Sequence, residues 1–246
     1  MTADKLVRLN RAIAACGLCS RRAADQLIAS GKVKVNGKPA ADFHLLVNLE
    51  KDHLSVSGKV IAVRSYDYIL LHKPIGIVST CQDEHGRKNI LGLLPVKLRH
   101  LKPAGRLDYD SSGLIFLTND GALINKLTHP THEVEKTYRV AVSGKVSQNA
   151  LEQLASGISL KEAKTRPAKV CLIKNTPHQS LIEIAIKEGK NRQIRRMCAQ
   201  LGLPVLRLVR TAIGKLQLEG LPSGEWRHLT KSELTGLRKA LNLNDQ

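Results

Sequence analysis

Near the start of the chain, Leu6, Leu9, Ile13 and Cys16 recur at the spacing of one helix face, and Gly17 is suited to end that helix. Ser20 then stands as N-cap of a second helix, with Ala24, Leu27 and Ile28 on its apolar side and Gly31 as its stop. The rhythm turns to alternation in KVKVNGKPA, where Val33 and Val35 alternate with lysines and Asn36-Gly37 signals a tight turn. LSVSGKVIAV predicts further short strands, so residues 1–65 predict a small αα-plus-β unit. A domain boundary falls at RSYDY, residues 64–68. Beyond it the pattern predicts strands at 68–72, 113–118, 136–142, 168–173, 180–186 and 205–210, and helices at 120–127, 147–155, 192–201 and 231–241. The last helix opens with Thr230-Lys231-Ser232-Glu233, a capping-box pattern. Strands at least as numerous as helices, without regular β-α-β alternation, predict an α+β region over 66–246 with a mixed, mainly antiparallel sheet flanked by helices.

Composition adds a partner to this picture. The 246 residues are 42% hydrophobic, enough for a core, but 39 Lys+Arg against 21 Asp+Glu leave a formal charge of +18. Such an excess repels itself unless a polyanion compensates, which points to nucleic acid. Residues 1–65 carry 11 basic and 5 acidic side chains, so both regions share the surplus. No apolar run approaches the roughly 18 residues of a membrane span, and MTADKLVRLN lacks a signal-peptide stretch, which reads as cytoplasmic. Five cysteines, an odd number, fit a reducing compartment, and Cys16-x-x-Cys19 has no His pair at zinc spacing, so no metal site is expected.

Four stretches carry candidate chemistry. Arg21 and Arg22 occupy the first turn of a helix, where cations oppose the macrodipole but an anion would be held by both guanidinium groups and the free N–H groups. Lys32, Lys34 and Lys38 extend a basic face and favour nucleic acid over two merely solvated arginines. In AGRLDYDSSGLIFLT a polar segment between glycines feeds a predicted strand; Asp108 is either a working carboxylate, nucleophile or base, or an Asx-turn residue capping its own backbone. EGKNRQIRRMCAQLG predicts a helix with Ile194, Met197, Cys198 and Leu201 on one face and Arg192, Arg195 and Arg196 on another. Its anionic partner could be RNA phosphate, Asp108 or none, and periodicity does not choose. In EKTYRVAV, Tyr138 stands between basic residues, suited to stacking on a base or to ordinary strand packing.

RLNRAIAACGLCSRRAADQLIASGKVKVNGK resembles the S4-like RNA-binding domain, which implies RNA contacts by Arg21, Arg22, Lys32 and Lys34. HKPIGIVST, AGRLDYDSSGLIFLTNDG, EKTYRV, EGKNRQIRRM and LPSGEWRHLT, in that order, resemble the RsuA-type family of bacterial ribosomal RNA pseudouridine synthases over essentially the whole chain. The resemblance implies a cofactor-free and metal-free isomerase acting on ribosomal RNA or a pre-ribosomal particle, large-subunit RNA being favoured, and a monomer is expected. It implies Asp108 as the catalytic aspartate, Arg195 as the basic residue paired with it, and Tyr138 as the tyrosine packed on the target base. Arg106 is expected to anchor the loop or a phosphate, Lys73 to contact RNA, Arg192 and Arg196 to bind substrate, and Asp110 to hold the loop. The competing expectations are a non-enzymatic RNA-binding factor on the same scaffold and, less favoured, a metal nuclease built on Asp108 and Asp110.

Overall fold

The computed structural model describes residues 6–49, 51–62, 65–81 and 86–243; the first residue of the RSYDY linker lies outside them. The chain divides into two compact units, one running to Asp67 and including Asn119–Gly121, the other comprising the remainder.

In the first unit β1 (Leu6–Arg8) pairs antiparallel with β4 (Leu46–Asn48), and α1 (Leu9–Ala15) packs against α2 (Arg21–Ala29). Leu6 thus belongs to a strand rather than to the predicted first helix, because its backbone is taken up by a pairing 42 residues away, with Asn48, which local spacing does not reveal. Ser20 caps α2 by accepting the Ala23 N–H at 3.2 Å. β2 (Val33–Val35), β3 (Lys38–Pro39), β5 (Leu54–Val56) and β6 (Lys59–Ile61) form a small antiparallel sheet in the order β3-β2-β5-β6. Its tight turn places Asn36 and Gly37 both at positive φ, 51° and 80°, the pair of conformations that a two-residue hairpin needs. Leu9, Ile13, Ala24, Ile28, Val33 and Val56 share one core.

The second unit is built on a sheet ordered β11-β12-β10-β13-β9-β7-β15, whose strands are β7 (Tyr68–Lys73), β9 (Ser112–Thr118), β10 (Lys136–Ser143), β11 (Lys169–Asn175), β12 (Gln179–Ile186), β13 (Val205–Ile213) and β15 (Trp226–His228). β8 (Lys102–Pro103) joins β9 and β14 (Leu216–Gln217) joins β13. All neighbours are antiparallel except β9 and β13, which run parallel, so the sheet is mixed as expected. Every residue of β9 is buried. Ile115 and Leu117 pack with Ile69, Leu71 and Leu107 on one face, while Leu114 and Phe116 pack with Leu123, Leu127 and Leu237 on the other. Two covered faces explain why this strand reads as a continuous apolar run, and each large side chain so buried contributes roughly 1.5–3 kcal/mol.

Helices α3 (Gly121–Thr128) and α6 (Lys231–Ala240) supply the second of those layers. The predicted capping box is present: Thr230 Oγ1 accepts the Glu233 N–H at 3.2 Å and Glu233 accepts the Thr230 N–H at 2.8 Å. α4 (Gln148–Ser156) and α5 (Gln193–Gln200) cover the other end of the sheet, where Leu154, Ile194, Met197 and Cys198 meet Val140, Val142, Ile182 and Ile184. Tyr138 packs against this cluster and also against the cluster of Leu71 and Leu107, so it stands at the seam between the two.

Candidate active site

The seam is crossed by one row of residues. Lys73 on β7 is in register with Gly113 on β9, Gly113 with Arg210 on β13, and Arg210 with Tyr138 on β10. A side chain at 113 is impossible, since a Cβ there would lie 2.3 Å from the Arg210 carbonyl oxygen and 2.4 Å from its nitrogen, and φ is +115°. The glycine of DSSGL therefore serves the close approach of the two parallel strands, and it leaves Lys73 and Arg210 without an intervening side chain.

The segment 104–111 arches from β8 to β9 and is fastened at several points. Ser79, buried, donates its hydroxyl to the Leu107 carbonyl at 2.8 Å and accepts the Leu107 N–H at 3.0 Å. The Gly76 N–H donates to the Tyr109 carbonyl at 2.9 Å, and the Ser111 N–H closes a turn on the Asp108 carbonyl at 3.1 Å. Arg195, reaching over from α5, donates Nη2 to the Asp110 carbonyl at 2.8 Å. Arg210 holds the loop from beneath, with Nε donating to the Leu114 carbonyl at 2.7 Å and Nη1 to the Arg106 carbonyl at 3.5 Å.

Between these fastenings the two carboxylates differ. Asp110 accepts two hydrogen bonds from Arg192, at 2.9 and 2.8 Å, and its Oδ2 lies 3.3 Å from Arg195 Nε. The Arg192 hydrogen bonds, more than any other influence, hold its carboxyl below the usual range, and they raise Arg192 in return. Asp108 is somewhat less exposed than Asp110, 32% against 41% of the side chain, but it carries no such clasp: Arg192 Nη1 lies 4.0 Å from its Oδ2. It is the carboxylate of this pair whose oxygens are not taken up by a bidentate arginine.

Several expected positions are corrected by this geometry. Arg195 pairs with Asp110, not with Asp108, because the turn at 108–111 presents the second aspartate to α5. Arg192 is the N-cap of α5, with φ 47° and ψ 34°, and not part of its arginine face; that left-handed turn aims it at the loop. Arg196 bonds Glu162, at 2.8 Å to each oxygen, and so is engaged with a different acid. Lys73 cannot be a surface RNA contact, since it is fully buried at the end of an apolar strand, with Nζ donating to the Pro74 carbonyl at 2.8 Å. Burial pulls its pKa down to about 8, while Asp108 and Asp110 oppose that fall and Arg210 adds to it. Arg106 is exposed beside the loop, as are Arg21, Arg22, Lys32 and Lys34 in the first unit.

Sequence reasoning missed Arg210 and took Lys136 only as a basic neighbour of Tyr138. A cation inside the apolar alternation of VLRLVRTAI was the available signal for the first. Lys136 lies two residues before Tyr138, where burial first and Arg210 second lower its pKa to about 8. Among the described residues no group of three or more His, Cys, Asp or Glu side chains could hold a metal, and no helix is long and apolar enough to cross a membrane. Asp110, with both oxygens taken by Arg192, is a poor metal ligand, which removes the geometric basis of a two-aspartate nuclease.

Comparison with known proteins agrees with this layout. Residues 67–200 match the family model described as RNA pseudouridylate synthase, and residues 7–51 match that of the S4 domain. The chain is 42% identical to the ribosomal large subunit pseudouridine synthase B of Bacillus subtilis (strain 168), over 94% of this chain and 95% of that one. It is 40% identical to the dual-specificity RNA pseudouridine synthase RluF of Escherichia coli (strain K12), over 98% of this chain and 81% of that one. A crystal structure of a pseudouridylate synthase superposes with a TM-score of 0.69 at 33% identity, covering 94% of this chain and 99% of the other.

Proposed function

The chain belongs to the RNA pseudouridylate synthase family and carries an S4 domain ahead of the synthase body, and from that premise we propose that it isomerises uridine to pseudouridine in large-subunit ribosomal RNA, with Asp108 as the reacting carboxylate. The observation that carries the assignment to Asp108 is the contrast within one turn: Asp110 is clasped on both oxygens by Arg192, while Asp108 stands 4.0 Å from the same guanidinium without a clasp. The choice of large-subunit RNA rests on the similarity to the Bacillus subtilis protein, a ribosomal large subunit pseudouridine synthase.

In this reading the target uridine leaves its stack and enters beside the arch, where Tyr138, at the seam, packs against the uracil. The glycosidic N1–C1′ bond breaks, the base turns, and a C5–C1′ bond forms; C5 gives up its proton and N1 gains one, so atoms balance without a cofactor. Asp108 either attacks C1′ or C6, or takes a sugar proton, and is regenerated at the end. Arg192 places a guanidinium 4.0 Å from its carboxylate, Arg195 positions the arch through Asp110, and Arg106 meets phosphate. Exposed Arg21, Arg22, Lys32 and Lys34 hold structured RNA, and the enzyme acts in the cytoplasm as a monomer without metal.

Asp108→Asn tests the assignment. With large-subunit rRNA transcribed in vitro, the variant should form no pseudouridine while binding RNA nearly as well as the parent. Retained turnover would place the chemistry elsewhere, and pseudouridine mapping of rRNA from cells with and without the gene identifies the nucleotide. EDTA should leave the rate unchanged.

A further inference from the structure

Tyr109 lies between the two aspartates and none of the roles above uses it. The residue is 54% exposed, in a protein with only four tyrosines, two phenylalanines and one tryptophan. Its backbone is nonetheless fixed: the carbonyl accepts the Gly76 N–H at 2.9 Å, and the residues on either side are held by the Asp108–Ser111 turn and by Arg192. The phenol oxygen lies over Gly76, 3.9 Å from where a Cβ would stand on that glycine. Ile75, also 54% exposed, is the next residue along the same turn. Two large apolar side chains thus stand uncovered on turns joined by the Gly76–Tyr109 hydrogen bond, Tyr109 being next in sequence to Asp108.

An exposed ring on a fixed backbone loses little further freedom on binding and offers a flat apolar face. RNA from which a uridine has been drawn out offers the complement, because the bases beside the gap have lost a stacking partner. Stacking of a base on an aromatic side chain tolerates any base identity, and exposed Arg106 nearby supplies a cation for the adjoining phosphate.

We propose that Tyr109, with Ile75 beside it, is the platform on which the nucleobase flanking the target uridine stacks once that uridine has entered the site. The inference rests on Asp108 being the reacting carboxylate. Tyr109 is accordingly a substrate-binding residue outside the chemical step.

The test uses the full chain and a large-subunit rRNA transcript labelled with [5-³H]uridine, following tritium released as C5 loses its hydrogen. Tyr109→Ala should raise KM about tenfold, as loss of one stacked base implies, with kcat changed less than about twofold. Tyr109→Phe and Tyr109→Trp should stay near the parent, since the face and not the hydroxyl is used. An unchanged KM in Tyr109→Ala overturns the platform, and so does a Phe variant as impaired as the Ala variant, which would make the hydroxyl the working group. Asp108→Asn, run alongside, separates the two readings: if it still releases tritium, the site itself is misplaced; if it is inert while Tyr109→Ala behaves as the parent, only the platform falls. Filter binding in an Asp108→Asn background, where no turnover intervenes, should show the same tenfold loss for Tyr109→Ala.

Discussion

Arg192 grips Asp110 through two hydrogen bonds, 2.9 and 2.8 Å, while the same guanidinium stops 4.0 Å short of Asp108. One arginine, turned by its left-handed backbone at the start of α5, thereby fixes one carboxylate and leaves its neighbour without that clasp. Asp110→Ala removes the clasp, the 3.3 Å contact with Arg195 and with them much of the order of the arch. Because a displacement of about 1 Å at a reacting group can cost on the order of 100-fold, kcat should fall between about 10- and 100-fold, with RNA affinity within about twofold of the parent. Tritium release and filter binding on the same preparations separate the two effects.

Gly113 makes the opposite demand, on backbone and not on charge. A Cβ at 2.3 Å from the Arg210 carbonyl cannot be relieved by a rotamer change, so Gly113→Ala must part β9 from β13 in the middle of the sheet. We expect a loss of about 3 kcal/mol or more by urea unfolding, with activity lost in proportion to the misplacement of the row from Lys73 to Tyr138. Gly236 is the control: inside α6, with nothing within 4 Å of the added methyl, Gly236→Ala should stabilise by about 0.5–1 kcal/mol.

How far the sequence could carry these conclusions depended on whether the deciding contact was local. β9, β10 and β12 were legible because their apolar residues alternate or run continuously against layers that the periodicity implies, and the Thr230–Glu233 cap because both partners lie within one turn. Asp108 was legible as a candidate from the glycine-flanked loop and from the resemblance. Which aspartate Arg195 would touch was not, since the two are separated by one residue and helical spacing gives a face without a depth. Lys73 was misjudged because lysines are ordinarily exposed; the run YILLHK, apolar up to its last residues, was the hint that its strand ends inside the core. The parallel pairing of β9 with β13, which sets the whole row, joins residues about a hundred positions apart and leaves no local trace.

The first unit's role in RNA binding can be read through salt. Arg21 and Arg22 are exposed in the first turn of α2, with no acidic residue there to neutralise them. If each meets one phosphate of duplex RNA, replacing both by alanine should reduce the slope of log affinity against log salt by about 2. Measured by filter binding between low and moderate salt, an unaltered slope would mean that these arginines face water. Activity at saturating RNA should be unchanged, because the substitutions leave the arch untouched.

The buried lysines give the fold a signature at alkaline pH. Lys73 and Lys136 both have folded pKa values of about 8, pulled down from 10.5 chiefly by burial. Below about pH 8 both are protonated in the folded and unfolded chain alike, and the cost of burying charge is constant. Between about 8 and 10.5 the unfolded chain retains the protons that the folded chain has lost, so stability rises with pH over that window and levels off above it. For fully buried Lys73 the rise should be on the order of 2–3 kcal/mol, and Lys73→Met should abolish that share of it while the share due to Lys136 persists. Urea unfolding of the parent and of Lys73→Met at pH 7.5 and 10 measures the difference; parallel stability curves would mean that Lys73 keeps its proton and that its two carboxylate neighbours outweigh its burial.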